Sequence, residues 1–97
     1  MNTVRTVVVR NQHGLHSRPA DLFVRTARCY TSDITISYGS KQANAKEILR
    51  VLLLNVNPGT EIVITAKGTD AEAAVADLVQ LVASDFTEIN NAIRIDT

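Results

Sequence analysis

Tryptophan is absent from this 97-residue chain, and phenylalanine and tyrosine supply two residues each, so aromatics are few and the candidate core is aliphatic. Net charge is missing too: ten basic and ten acidic side chains cancel. Binding to a nucleic-acid backbone needs a surplus of Lys and Arg, so no nucleic-acid partner is expected. A single cysteine, Cys29, excludes an internal disulfide and any Cys-x-x-Cys site, and reads as a plain side chain near a helix end. No apolar run is long enough to cross a bilayer, and no charged-then-apolar leader opens the chain. The expectation is a cytoplasmic chain with no membrane insertion. There is no internal repeat, low-complexity stretch or dividing linker, and the length fits one domain.

What is present alternates between two periods. Residues 3–9 are rich in β-branched side chains and predict a first strand. Ala20, Phe23, Val24 and Ala27 fall at i, i+3, i+4 and i+7, one stripe of an amphipathic helix. Asp21 is placed near its N-terminus, where the dipole favours it, and Arg25 and Arg28 fall on its other faces. Ile34, Ile36 and Tyr38 alternate with Thr35 and Ser37, predicting a second strand over 33–38. The two-residue turn Gly39-Ser40 leads to a short polar third strand over 41–44.

Residues 45–54 read as a short helix opened by Lys46 and Glu47. Its many apolar side chains cannot all be buried on one side, so some are expected to form an exposed docking surface. Asn57-Pro58-Gly59 is a turn, and Ile62, Ile64 and Ala66 mark a fourth strand. Gly68-Thr69-Asp70 is expected to cap a last helix whose buried face is Ala71, Ala74, Val75, Leu78 and Val82. The order β-α-β-β-α-β-α predicts an α+β fold, a four-stranded antiparallel sheet with three helices on one face. The division expected is a domain over 1–86 and a C-terminal tail over 87–97, where Ile93 and Ile95 alternate with Arg94 and Asp96 in a frayed end or an extra edge strand.

The stretch His13-Gly14-Leu15-His16-Ser17-Arg18-Pro19-Ala20 organises the rest. It lies between a strand and a helix, with Gly14 free to take a positive φ at the turn. Ser17 is the candidate cap, and Pro19 fits a first helical turn. His16 is then placed beside backbone N–H groups that have no intrahelical partner. An anion on that ring would meet those N–H groups, the positive end of the helix dipole and the Arg18 guanidinium. The pair His13 and His16 has no nearby Cys or carboxylate to complete a ligand set, so no metal is expected, and no cofactor.

Gly14-Leu15-His16-Ser17-Arg18-Pro19-Ala20 resembles the active-site signature of the HPr family, the histidine-containing phosphocarriers of the bacterial phosphoenolpyruvate-dependent sugar phosphotransferase system. The resemblance extends through Phe23-Val24-Arg25, Ala43-Asn44-Ala45-Lys46, Pro58-Gly59-Thr60 and Gly68-Thr69-Asp70, covering about residues 3–86. It implies an open-faced β-sandwich and a carrier with no turnover of its own. It further implies that His16 accepts a phosphoryl group on Nδ1 from enzyme I and passes it to sugar-specific IIA proteins. Arg18 and the backbone N–H groups of Ser17 and Arg18 would stabilise the moving charge. The implied docking patch is Ile48, Leu49 and Leu52, with Arg25 and Arg28 as charged contacts, on a protein expected to be a monomer.

The departures from the family pattern are equally specific. Glu47 stands where some members carry a serine phosphorylated by a regulatory kinase, and it cannot be phosphorylated. It reads either as an acidic side chain favoured at a helix start or as a fixed mimic of the phosphorylated serine. His13 stands where many members have asparagine, and reads as a solvated turn residue. Asn55 stands where many have glycine, and the tail has no family counterpart. The alternative function is a nitrogen-branch or regulatory paralogue acting by binding target proteins. A small hydrolase or transferase using His16 as nucleophile is disfavoured, because no acid or base accompanies it.

Overall fold

Alternating β-branched residues build one edge of a sheet. In the computed structural model, which describes residues 2–86, the elements run β1 (Asn2–Val9), α1 (Ser17–Ala27), β2 (Asp33–Tyr38), β3 (Lys41–Asn44), α2 (Ile48–Leu53), β4 (Thr60–Lys67) and α3 (Ala71–Ala83). The four strands form one antiparallel sheet in the order β1-β4-β2-β3. Register pairs Val7 with Ile62 and Arg5 with Ile64 on one side of β4, and Ile34 with Ala66 and Ile36 with Ile64 on the other. Because strand side chains alternate, Ile34, Ile36, Ile62, Ile64 and Ala66 all point to one face, and all are buried there. The opposite face carries Val4, Thr6, Thr35, Thr65 and similar residues, with Val4 exposed.

The helices close the buried face. Ala20, Phe23, Val24 and Ala27 of α1 are buried as the stripe predicts, joined by Leu22 and Thr26. In α3 all five expected positions are buried, together with Leu81. Phe86 follows the helix into the core, its N–H donating to the Leu81 carbonyl at 2.8 Å. The expected tail over 87–97 lies outside the described residues.

Four local expectations are corrected. His16, not Ser17, is the N-cap of α1, and Ser17 is already its first helical residue. Asp21 lies beyond the first turn, which contains no acidic residue, and pairs instead with Arg25 at 3.9 Å in an exposed i,i+4 contact. The second helix is shorter than 45–54. Ala45 still extends the β-structure, donating its N–H to the Ile34 carbonyl at 2.9 Å, and Glu47 is the N-cap. Asp70 is the N-cap residue of α3 but makes no side-chain cap. Its carboxylate reaches across to the loop before β2, accepting from the backbone N–H of Thr31 at 2.8 Å and of Ser32 at 2.9 Å, and from both hydroxyls.

Candidate functional site

The turn between β1 and α1 is shaped by one close approach. Gly14 has φ +68, and a Cβ built there would lie 2.1 Å from the Val56 carbonyl oxygen. Only glycine satisfies both conditions. The Leu15 N–H donates to that same oxygen at 3.2 Å while its side chain is fully buried. Asn11 closes the turn from the other side. Its carbonyl accepts from the Gly14 N–H at 3.2 Å, and its Nδ2 donates to the Gly14 carbonyl at 2.8 Å. The backbone leading into His16 is therefore pinned at three points to fixed neighbours.

His16 takes an extended conformation, φ −127 and ψ 160, and makes no side-chain cap to the helix. Its ring nitrogens are not spent on the helix N-terminus, which suits a nucleophile better than a cap. Ser17 has φ +50, a left-handed value that costs a non-glycine residue roughly 1–2 kcal/mol. Such outliers persist where the surroundings over-determine them, and the chain is pinned two residues earlier, at Leu15. Ser17 and Arg18 are the first two residues of α1, so their N–H groups have no partner one turn back within the helix. His16, Ser17 and Arg18 line one surface depression together with His13 and Pro19. The residues that the sequence predicts as acceptor and as charge-stabilising neighbours thus line one depression.

The other predicted residues do not line it. Arg25 and Arg28 are exposed on α1, and Arg28 also holds structure, its Nε donating to the Lys46 carbonyl at 2.8 Å. Lys46 returns the link, Nζ donating to the Tyr30 carbonyl at 2.6 Å, so the end of α1 and the approach to α2 are laced together. On α2, Leu49 is 72% exposed while Ile48 and Leu52 are half-buried against the core. Leu53, which sequence reasoning passed over, is 71% exposed beside them. Three consecutive leucines at 52–54 hide which one faces outward until the helix phase is fixed. The chain leaving α2 reaches Val56, the residue that holds Leu15, so the exposed leucines sit on the segment that buttresses the histidine turn.

Glu47 is at the opposite end of α2 from that buttress and forms an exposed pair with Arg50 at 3.8 Å. Asn55, at the residue after the α2 C-cap, has φ +55. Helices end in this left-handed conformation most often at glycine and next at asparagine, which accounts for the residue found there. Among the described residues, no three His, Cys, Asp or Glu side chains are grouped to hold a metal ion, and no helix is long and apolar enough to cross a membrane.

The geometry has close counterparts. Residues 3–84 match the family model described as the PTS HPr component phosphorylation site. The phosphocarrier protein HPr of Haemophilus influenzae is 38% identical over 78 residues, covering 80% of this chain and 92% of that protein. A multiphosphoryl transfer protein of Escherichia coli O157:H7 is 38% identical over 84 residues, 84% of this chain, which spans only 22% of that much longer relative. Among solved structures, HPr-C-His from Thermoanaerobacter tengcongensis superposes with a TM-score of 0.86 at 40% identity, covering 89% of this chain and 97% of that one. With a family match over most of its length and the same sheet and helices as its relatives, the chain belongs to the HPr family of phosphocarrier proteins.

Proposed function

We propose that His16 is the residue that carries the phosphoryl group, taking it from an enzyme I and handing it to sugar-specific IIA proteins. The observation that carries this reading is the shared depression of His16, Ser17 and Arg18 at the start of α1. In the accepting step, a ring nitrogen of His16 (Nδ1, as the family resemblance implies) forms a bond to phosphorus while the donor's own phosphorus–nitrogen bond breaks. The leaving nitrogen keeps the electron pair, and its ring takes up a proton as the His16 ring, made cationic by the new bond, releases its other N–H proton. The onward step is the same reaction with the roles exchanged. Because both bonds are phosphoramidates, little transfer potential is lost.

The protein's contribution is position and charge. Ser17 and Arg18 line the same depression as His16, and donors there aimed at the moving phosphoryl group contribute on the order of a few kcal/mol each. The chain acts as a carrier, with no turnover of its own. Its partners dock over Leu49, the half-buried Ile48 and Leu52, and the cations Arg25 and Arg28. Such an interface is small and transient, and it suits a monomer in the cytoplasm that must leave each partner quickly. The working unit is the domain over 1–86.

The test is phosphorylation by phosphoenolpyruvate and enzyme I, read by intact mass. One acid-labile phosphoryl group per chain, absent in His16→Ala, is the expected result. A folded sample that stays unmodified beside a control HPr labelled in the same tube would overturn the proposal.

A further inference from the structure

The turn brings a second imidazole to the same depression. His13 lines it with His16, Ser17, Arg18 and Pro19, and its own backbone lies between the two ends of the Asn11–Gly14 lock. That lock holds His13 beside His16 rather than leaving it on a loose loop. Among the described residues, the titratable and charged members of the depression are the two imidazoles and Arg18, with no carboxylate lining it. The segment that packs beneath the turn, residues 55–60, carries no ionisable side chain.

A phosphoryl group carries roughly −1.5 to −2 charge near neutrality, more than one guanidinium balances. Imidazole is the side chain whose ordinary titration falls between pH 5 and 8, so a neighbouring dianion acts on it where cells operate. We infer that His13 is a second phosphoryl-contacting group, donating an N–H to the group on His16 and becoming the second cation of the site when protonated. This rests on His16 being the acceptor. By linkage, the equilibrium for transfer onto His16 shifts toward the phosphorylated form as pH falls through the His13 midpoint, separately from the acid-catalysed hydrolysis of the phosphoramidate.

The experiment loads His16 chemically with potassium phosphoramidate, so that no enzyme I is involved. A ring nitrogen forms the new bond to phosphorus as the reagent's phosphorus–nitrogen bond breaks, and the amine leaves with its protons as ammonia. The ring's other N–H proton stays or passes to water according to pH. Both histidines are then followed by proton–nitrogen NMR from pH 5 to 9, before and after loading. Phosphorylation is expected to raise the His13 titration midpoint by about one pH unit, and the phosphorus resonance should titrate with the same midpoint. The component of the phosphorus titration that follows the His13 midpoint should vanish in both His13→Asn and His13→Gln, leaving the phosphoryl group's own ionisation alone. Folding of both variants is checked by thermal melts.

A His13 midpoint that does not move when His16 is loaded overturns this assignment and leaves the carrier reading standing, since enzyme I and mass measurement test that separately. A phosphoryl group found on His13 in place of His16 overturns both. So does failure to load either ring under conditions that phosphorylate free histidine.

Discussion

Gly14 and the Val56 carbonyl oxygen occupy positions that leave no room for a side chain: a Cβ at residue 14 would sit 2.1 Å from that oxygen, and φ there is +68. Gly14→Ala must therefore move backbone at residue 14, at residue 56 or at both. The left-handed φ and the forced repacking together cost about 2–4 kcal/mol. Urea denaturation should show the midpoint falling with the slope unchanged. Because Leu15 hangs from the same oxygen and leads directly into His16, phosphotransfer should slow even in the fraction that remains folded. A variant as stable and as fast as the parent would show that the approach is not a constraint.

Asp70 gives the fold a dependence on acid. Its carboxyl is lowered to about 2 from the usual 3.8, first by the Ser32 hydroxyl and then by the Thr31 backbone N–H, both donating to the charged form. A group whose folded value is depressed stabilises the fold above its unfolded value and loses that contribution as pH falls through the folded one. Stability from this contact is thus complete above about pH 5 and drains away between about pH 4 and 2. In Asp70→Asn one acceptor oxygen becomes a donor facing Ser32 or Thr31. The variant should melt lower at pH 7 and show a flatter loss between pH 4 and 2. Parallel curves for parent and variant would remove Asp70 from the account.

The Asp70 contact also marks the limit of what the chain discloses. Strand alternation at Ile34, Ile36, Ile62 and Ile64 and the helical stripe of Ala20, Phe23, Val24 and Ala27 are local patterns, and each maps onto its buried face. An aspartate before a helix reads locally as a cap. Its actual partners, Thr31 and Ser32, lie 39 and 38 residues away, where no local pattern points. Ser17 is the same error on a smaller scale, since serine is a good cap but the chain turns one residue earlier, at His16. In residues 45–54 apolar side chains are so dense that no phase is defined, and only packing on β3 and α1 sets which leucines face outward. The convergence of His16, Ser17 and Arg18 follows from their adjacency in sequence, whereas the buttress from Val56 needed the fold.

Leu49 and Leu53 provide the clearest separation of folding from docking. Both are more than two-thirds exposed, so replacing each with serine removes little buried area and should change stability by no more than about 0.5 kcal/mol per substitution. If the α2 face is where partners seat, the same double variant weakens recognition without touching the chemistry at His16. Steady-state transfer from enzyme I should then show KM raised roughly tenfold with kcat near its parent value, the signature of lost binding that is equal in ground and transition states. If the Arg18 charge acts on the phosphoryl group in flight, as proposed, Arg18→Ala should behave in the opposite way, lowering kcat on the order of a hundredfold with a smaller change in KM. A Leu49→Ser, Leu53→Ser variant with an unchanged KM would place the docking surface elsewhere, and a kcat loss equal to that of Arg18→Ala would mean that α2 positions the histidine turn through Val56.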